Sequence, residues 1–228
     1  MVTKLVLAES GYTDVERHTK DVDANWVGTP PSMSSLVATL NSAFAGDGRF
    51  EAVPFRDYEE KKSAGITIKR KGTDEELFDM DISIKPVIGS RVYYHGETSI
   101  RGVLANEILA DKISVLSKKN IFRRAKDVVD VYALSHCVRV DTSEIFEIWR
   151  SNPGREIGAF IEFLTRRADV EHAYLKLEGI TGKPEFAVVY DYLEKFIQPF
   201  AGRDEARMVW YSDTQSWEDH RIITELER

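Results

Sequence analysis

A single cysteine, Cys137, stands in this chain of 228 residues. That excludes an intrachain disulfide and any zinc site built from cysteines alone. Its setting, VYALSHC, is an apolar helical run and reads it as a small buried hydrophobe. No apolar stretch approaches the ~20 residues that a membrane-spanning helix needs. The opening MVTKLVLAES reaches Glu9 too early for a secretory leader. The expectation is a protein of the reducing cytoplasm. Positive charge is also short: 31 Lys and Arg against 38 Asp and Glu give a formal net charge of −7, which argues against wholesale non-specific binding to nucleic acid. Repeats, low-complexity tracts and long linkers are missing too. What remains is 43% hydrophobic and 30% charged, the make-up of a folded domain, and the length suffices for one large domain or two modest lobes.

The hydrophobic pattern divides in two. Val2 to about Ser10 reads as a helix stopped by Gly11, and DVDANWV as a strand. TPPSMSSLVATLNSAF follows as a helix with prolines at its start, placing Met33, Leu36, Val37, Leu40, Ala43 and Phe44 on one face. FEAVPF, GITIKRK, ELFDMDISI and RVYYHGE alternate as strands do. From Val103 to about Phe200 the pattern is helical, through ANEILADKISVLSKK, RRAKDVVDVYALSH, SEIFEIWRS, REIGAFIEFLTRR, VEHAYLKLEG and PEFAVVYDYLEKFIQPF, with MVWYSD as one late strand. The expected class is α+β: a small mixed-sheet lobe over residues 1–100 and a helical lobe over 101–228.

Two strands carry paired carboxylates. Asp21 and Asp23 are separated by one residue, as are Asp79 and Asp81, so each pair projects from one face of its strand. Like charges this close repel unless a cation lies between them. If the two strands are neighbours, three or four carboxylates converge, and an oxygen-only donor set suits Mg²⁺ or Mn²⁺. Paired ions of this kind serve in-line displacement at phosphorus. D-x-D alone is a pattern that chance often produces.

The helical half offers a second group. Asp127 and Asp130 are i, i+3 neighbours in RRAKDVVDVYAL, with Arg123 placed for Asp127 and Lys126 for Asp130 at i, i+4. Val128, Val129, Val131 and Leu134 make that helix largely apolar, which leaves little room for idle charge. Lys112, amid the apolar residues of LADKISVL, needs an aspartate or a phosphate as partner. Two basic clusters complete the inventory. Lys69–Lys71 reads as a solvated face, whereas Lys118, Lys119, Arg123, Arg124 and Lys126 flank the acidic helix.

Four segments in order and spacing, R-x-T-x-D-V-D (Arg17 to Asp23), M-D-I-S-I (Met80 to Ile84), E-I-L-A-D-K-I (Glu107 to Ile113) and R-x-K-D-x-x-D-V-Y-A-L (Arg124 to Leu134), give the chain a specific likeness. It resembles the AbiEii/AbiGii nucleotidyltransferase toxins of type IV toxin–antitoxin and abortive phage infection systems, within the polymerase-β-like superfamily. The resemblance implies that Asp21 and Asp23 ligate the metals. It makes Asp81 the third carboxylate, which also takes the proton from the incoming hydroxyl, with Asp79 as the alternative. It makes Lys112 neutralise the nucleotide's phosphates and Asp127 orient Lys112 or the acceptor. Thr19, Lys112, Arg124 and Lys126 form the nucleotide-binding set, with Arg124, Lys126 and Asp130 bracing helix and site; His18 is structural or exposed. The partners it implies are an NTP, an RNA acceptor such as a tRNA 3′ end, and a cognate antitoxin, with no membrane. A small-molecule acceptor, or a non-catalytic remnant binding nucleotide or antitoxin, are the alternatives. The superfamily places a Gly-Gly or Gly-Ser turn before the helix that precedes D-x-D. Here Met1 stands at that helix, so the expectation is a start that omits an N-terminal segment.

Overall fold

A computed structural model describes residues 2–18, 21–57, 63–84, 87–152, 157–204 and 206–219. The chain forms two compact units, His18–Val87 and Val2–Arg17 together with Ile88–Arg228. The division falls at Val87, where the sequence pattern placed it near residue 100. The opening helix α1 (Val2–Glu9) and the two-residue β1 (Glu16–Arg17) belong with the larger unit, because Leu5, Val6 and Val15 are buried in its core.

The smaller unit contains β2 (Asp21–Asn25), α2 (Met33–Phe44), β3 (Phe50–Arg56), β4 (Ser63–Arg70) and β5 (Glu76–Ser83). Its sheet runs β2-β5-β4-β3, with β2 parallel to β5 and the other pairs antiparallel. Alternation along the strands gives the sheet two unlike faces. One buries Ala52, Ala64, Ile66, Ile68 and Ile82 beneath Leu36 of α2, with Met33, Val37, Leu40 and Phe44 packed around them. Ser32 caps α2 by accepting a hydrogen bond from the Ser35 amide at 3.2 Å. The opposite face carries the aspartates.

In the larger unit, β6 (Ser90–His95) and β7 (Thr98–Val103) form a hairpin that buries Tyr93 in the helical core. Then come α3 (Ala105–Leu116), a 3-10 turn (Ile121–Arg124) and α4 (Ala125–Cys137). After them run β8 (Val140–Asp141), α5 (Thr142–Arg150), α6 (Ile161–Thr165), α7 (Arg167–Leu175), β9 (Ile180–Thr181), α8 (Phe186–Phe196), α9 (Gln198–Gly202), β10 (Met208–Tyr211) and β11 (Ser216–Asp219). Helix α4 is the axis of this unit, meeting α1, α3, α7 and α8. Of the helix expected over REIGAFIEFLTRR, Arg155 and Glu156 lie outside the described residues, and the rest forms α6 only from Ile161, preceded by Phe160 in the left-handed region at φ 56°. The late strand β10 has two partners, β11 and β8. Cys137 is half-buried rather than buried; its thiol donates to the Ala133 carbonyl at 3.2 Å, and burial pushes its pKa up. Among the described residues no helix is long and apolar enough to cross a membrane.

Candidate functional site

Two groups of charged side chains merit a chemical reading, one in each unit. The first lies on the open face of the four-stranded sheet. Strand register sets Asp21 opposite Asp79 and Asp23 opposite Asp81. Because all four sit at alternate positions of paired strands, they share one face, with adjacent strands about 4.8 Å apart. Asp21, Asp23 and Asp79 are exposed and Asp81 is half-buried. Thr67, opposite Asp79 on β4, donates its hydroxyl to Asp79 Oδ1 at 2.7 Å. Arg56 forms an ion pair with Asp81 Oδ1 and donates to Ser63 through its hydroxyl at 3.0 Å and its carbonyl at 3.3 Å.

This donor set fits a divalent cation in kind, since hard carboxylate oxygens from two neighbouring strands are what Mg²⁺ and Mn²⁺ take. Among the described residues, no group of three or more His, Cys, Asp or Glu side chains is placed to hold a metal ion as the carboxylates stand. One of the four, Asp81, is turned to a guanidinium instead.

The second group is buried in the larger unit. Lys112, on α3, projects its Nζ between two carboxylates of α4, at 2.9 Å from Asp127 Oδ1 and 2.5 Å from Asp130 Oδ2. Arg124 Nε reaches Asp127 Oδ2 at 2.7 Å. Arg17 grips Asp130 with both arms of its fork, Nε to Oδ1 at 2.9 Å and Nη2 to Oδ2 at 3.1 Å. The Asp127 side chain is 1% exposed and that of Asp130 4%, so each carboxylate depends on its cations. Burial opposes charge on Lys112, but Asp130 and Asp127 outweigh it and raise the ammonium's pKa. Burial likewise works against the Asp127 carboxylate, yet Lys112 and Arg124 hold its pKa below the ordinary aspartate value.

Several expectations meet this geometry directly. Lys112 and Asp127 are in contact, and Asp130 joins them. The i, i+4 pairs are not formed. Arg124, rather than Arg123, reaches Asp127, because both arginines sit in the 3-10 turn ahead of α4 and not on its regular helix. Asp130 is paired with Arg17 and Lys112 instead of Lys126, which is half-buried and makes no ion pair among the described residues. Lys69 and Arg70 pair with Glu76 and Glu75, in keeping with a solvated face. His18 is exposed, and Thr19 lies outside the described residues.

Two arginines in these groups had no role in the sequence reading. Arg17 belongs to the R-x-T-x-D-V-D segment, so its position was marked without its partner. Arg56 follows Pro54, a residue that within a strand signals an edge or a bulge; the β3–β4 register does shift between Pro54 and Arg56.

A family model described as nucleotidyl transferase AbiEii toxin, type IV TA system, matches residues 6–200, a span that holds both groups. No curated protein matches the chain.

Proposed function

The chain belongs to the nucleotidyl transferase AbiEii toxin family of type IV toxin–antitoxin systems, and from that premise we propose that it transfers an NMP from an NTP to a hydroxyl of RNA, specifically a tRNA 3′ end. The reaction forms a bond from the acceptor oxygen to the α-phosphorus and releases pyrophosphate. It takes place in the cytoplasm, restrained by a separately encoded antitoxin. The observation that supports this reading best is the in-register meeting of Asp21 with Asp79 and Asp23 with Asp81 on one open sheet face.

Asp21, Asp23 and Asp81 would hold Mg²⁺ or Mn²⁺, with Asp79 as the alternative third ligand. Such an ion supplies charge neutralisation and Lewis acidity at the phosphoryl oxygens. Asp81 takes the proton of the acceptor hydroxyl on its carboxylate oxygen. In this reading Lys112 would neutralise charge on the nucleotide's phosphates, and its ammonium donates to Asp127 and Asp130. Arg124 and Lys126, with Thr19, complete the nucleotide-binding set, Arg124 also fixing Asp127.

Radiolabelled NTPs, total tRNA and Mg²⁺ test the reading. Label is expected in tRNA, and Asp81→Asn should cut incorporation by about 100- to 10,000-fold, the contribution of a positioned general base, without changing the circular dichroism spectrum. Asp23→Asn should do the same. Incorporation indifferent to both substitutions would sink it. The net charge of −7 favours a second reading with a small-molecule acceptor. That reading predicts nucleotide consumption in cell extract with tRNA left unlabelled. A non-catalytic binding protein would consume none.

A further inference from the structure

The open sheet face is crossed by rows of residues facing one another on successive strands. One row runs Arg56, Gly65, Asp81, Asp23, from β3 through β4 and β5 to β2. Its neighbour runs Val53, Thr67, Asp79, Asp21. In the first row a cation and two carboxylates are separated by one residue without a side chain. Two strand spacings, about 9.6 Å, lie between the Arg56 and Asp81 backbones, and the residue between them on β4, Gly65, puts no side chain of its own in the way.

Gly65 lets the Phe55 ring and the first carbon of the Arg56 side chain lie close over β4. A Cβ on this glycine would lie 2.5 Å from a Phe55 ring carbon and 3.1 Å from the Arg56 Cβ. The register shift between Pro54 and Arg56 supplies the aim, since an irregularity of this kind redirects the side chains beside it. The guanidinium also donates to the Ser63 hydroxyl, and the Phe55 ring lies 5.5 Å from it. The result is an arginine side chain 19% exposed, set against an aspartate side chain that is 44% exposed.

We propose that Arg56 is a positioning residue that acts as the built-in counter-cation of this face: it holds Asp81 while no divalent ion is bound and is exchanged for that ion when one enters. The inference rests on the metal reading above, because it assigns Asp81 two alternative cationic partners. A guanidinium and a divalent ion cannot both take Asp81 Oδ1 at full strength, so their binding to it is competitive. Four clustered carboxylates without any counter-charge would repel one another, and Arg56 lowers that cost in the ion-free protein. The same contact sets a threshold for ion entry, because part of the ion's binding energy goes to releasing the arginine.

The test is Mn²⁺ binding to the full chain, followed by the electron paramagnetic resonance signal of free Mn²⁺, with thermal unfolding beside it. Arg56→Gln should bind Mn²⁺ about two- to fivefold more tightly than the parent, the scale of one partly exposed ion pair. Without Mn²⁺ the same variant should unfold at lower temperature, and Mn²⁺ should raise its unfolding temperature more than the parent's. Arg56→Lys, which keeps the charge, should stay near the parent in both. Unchanged or weaker Mn²⁺ binding by Arg56→Gln, with parent binding still abolished by Asp23→Asn, overturns this inference and leaves the metal reading standing. Absence of Mn²⁺ binding from all the variants and the parent overturns both.

Discussion

Lys112, Asp127 and Asp130 show how single residues are bound to one another's charge. Asp127 has a depressed pKa in the folded protein, so its contribution is fully present above the ordinary aspartate value and is lost as pH falls through the depressed one. Lys112 has a raised pKa, so its contribution is present below the ordinary lysine value and is lost as pH rises through the raised one. Both therefore operate across the neutral range. Asp127→Asn keeps the shape but removes the charge that Lys112 and Arg124 face, and it should cost about 3 kcal/mol at neutral pH, the low end for breaking a buried pair. The deficit should shrink as pH falls through the acid limb, where the parent's own carboxylate protonates. Urea unfolding at several pH values measures this. A deficit that stays constant with pH would assign the effect to packing. This partnership was visible in the sequence only in part. Lys112 lies 15 residues from Asp127, and helical patterning exposes such pairs. The separation of 113 positions from Arg17 to Asp130 leaves no local trace, because a contact of that range is set by how elements pack.

Arg17 owes its position to one of the smallest elements in the fold. Strand β1 pairs with β9 through Glu16 opposite Thr181 and Arg17 opposite Ile180. Immediately after β9, Gly182 adopts φ +66°, and a Cβ there would overlap the Asp14 carbonyl oxygen. Backbone cannot swing aside as a side chain can. Gly182→Ala should therefore cost about 1–3 kcal/mol from its dihedral alone, with the displacement of Asp14 added to that. Gly72 has φ +76° and open space around it, so Gly72→Ala should show the dihedral cost only. A larger fall in urea midpoint for Gly182→Ala than for Gly72→Ala is the expected result, and equal shifts would deny the backbone contact. At this scale the sequence was readable wherever the period was clean. The segments α2, β4 and β5 follow it closely. By contrast β7 was not anticipated, because TSIRGV lacks alternation, and β8, β9 and β11 are too short or too polar to declare themselves. The D-x-D strands were legible one by one. Their adjacency was not, since parallel strands joined through α2, β3 and β4 leave no turn to fix the register.

Charge distribution over the whole molecule bears on which acceptor it can hold. A protein with net charge −7 repels polyanions at long range, so binding to tRNA has to come from a local concentration of cations. Lys118, Lys119 and Arg123 are exposed in the larger unit, on the loop and 3-10 turn that link α3 to α4. None of the three belongs to the Lys112–Asp127–Asp130 group, so they can be altered without touching it. If they contact the acceptor's phosphates, each contact releases condensed counterions. The slope of log affinity against log salt then carries about 0.7 per contact on single-stranded RNA. Lys118→Gln with Lys119→Gln should raise the KM for tRNA, leave kcat near that of the parent, and reduce the magnitude of the salt slope by about 1.4. A small-molecule acceptor would show neither change, because a compact substrate releases few counterions and does not extend to this loop. Labelling rates measured across a salt series, for the parent and the double variant, thus separate the two acceptors by a property of the whole charge field.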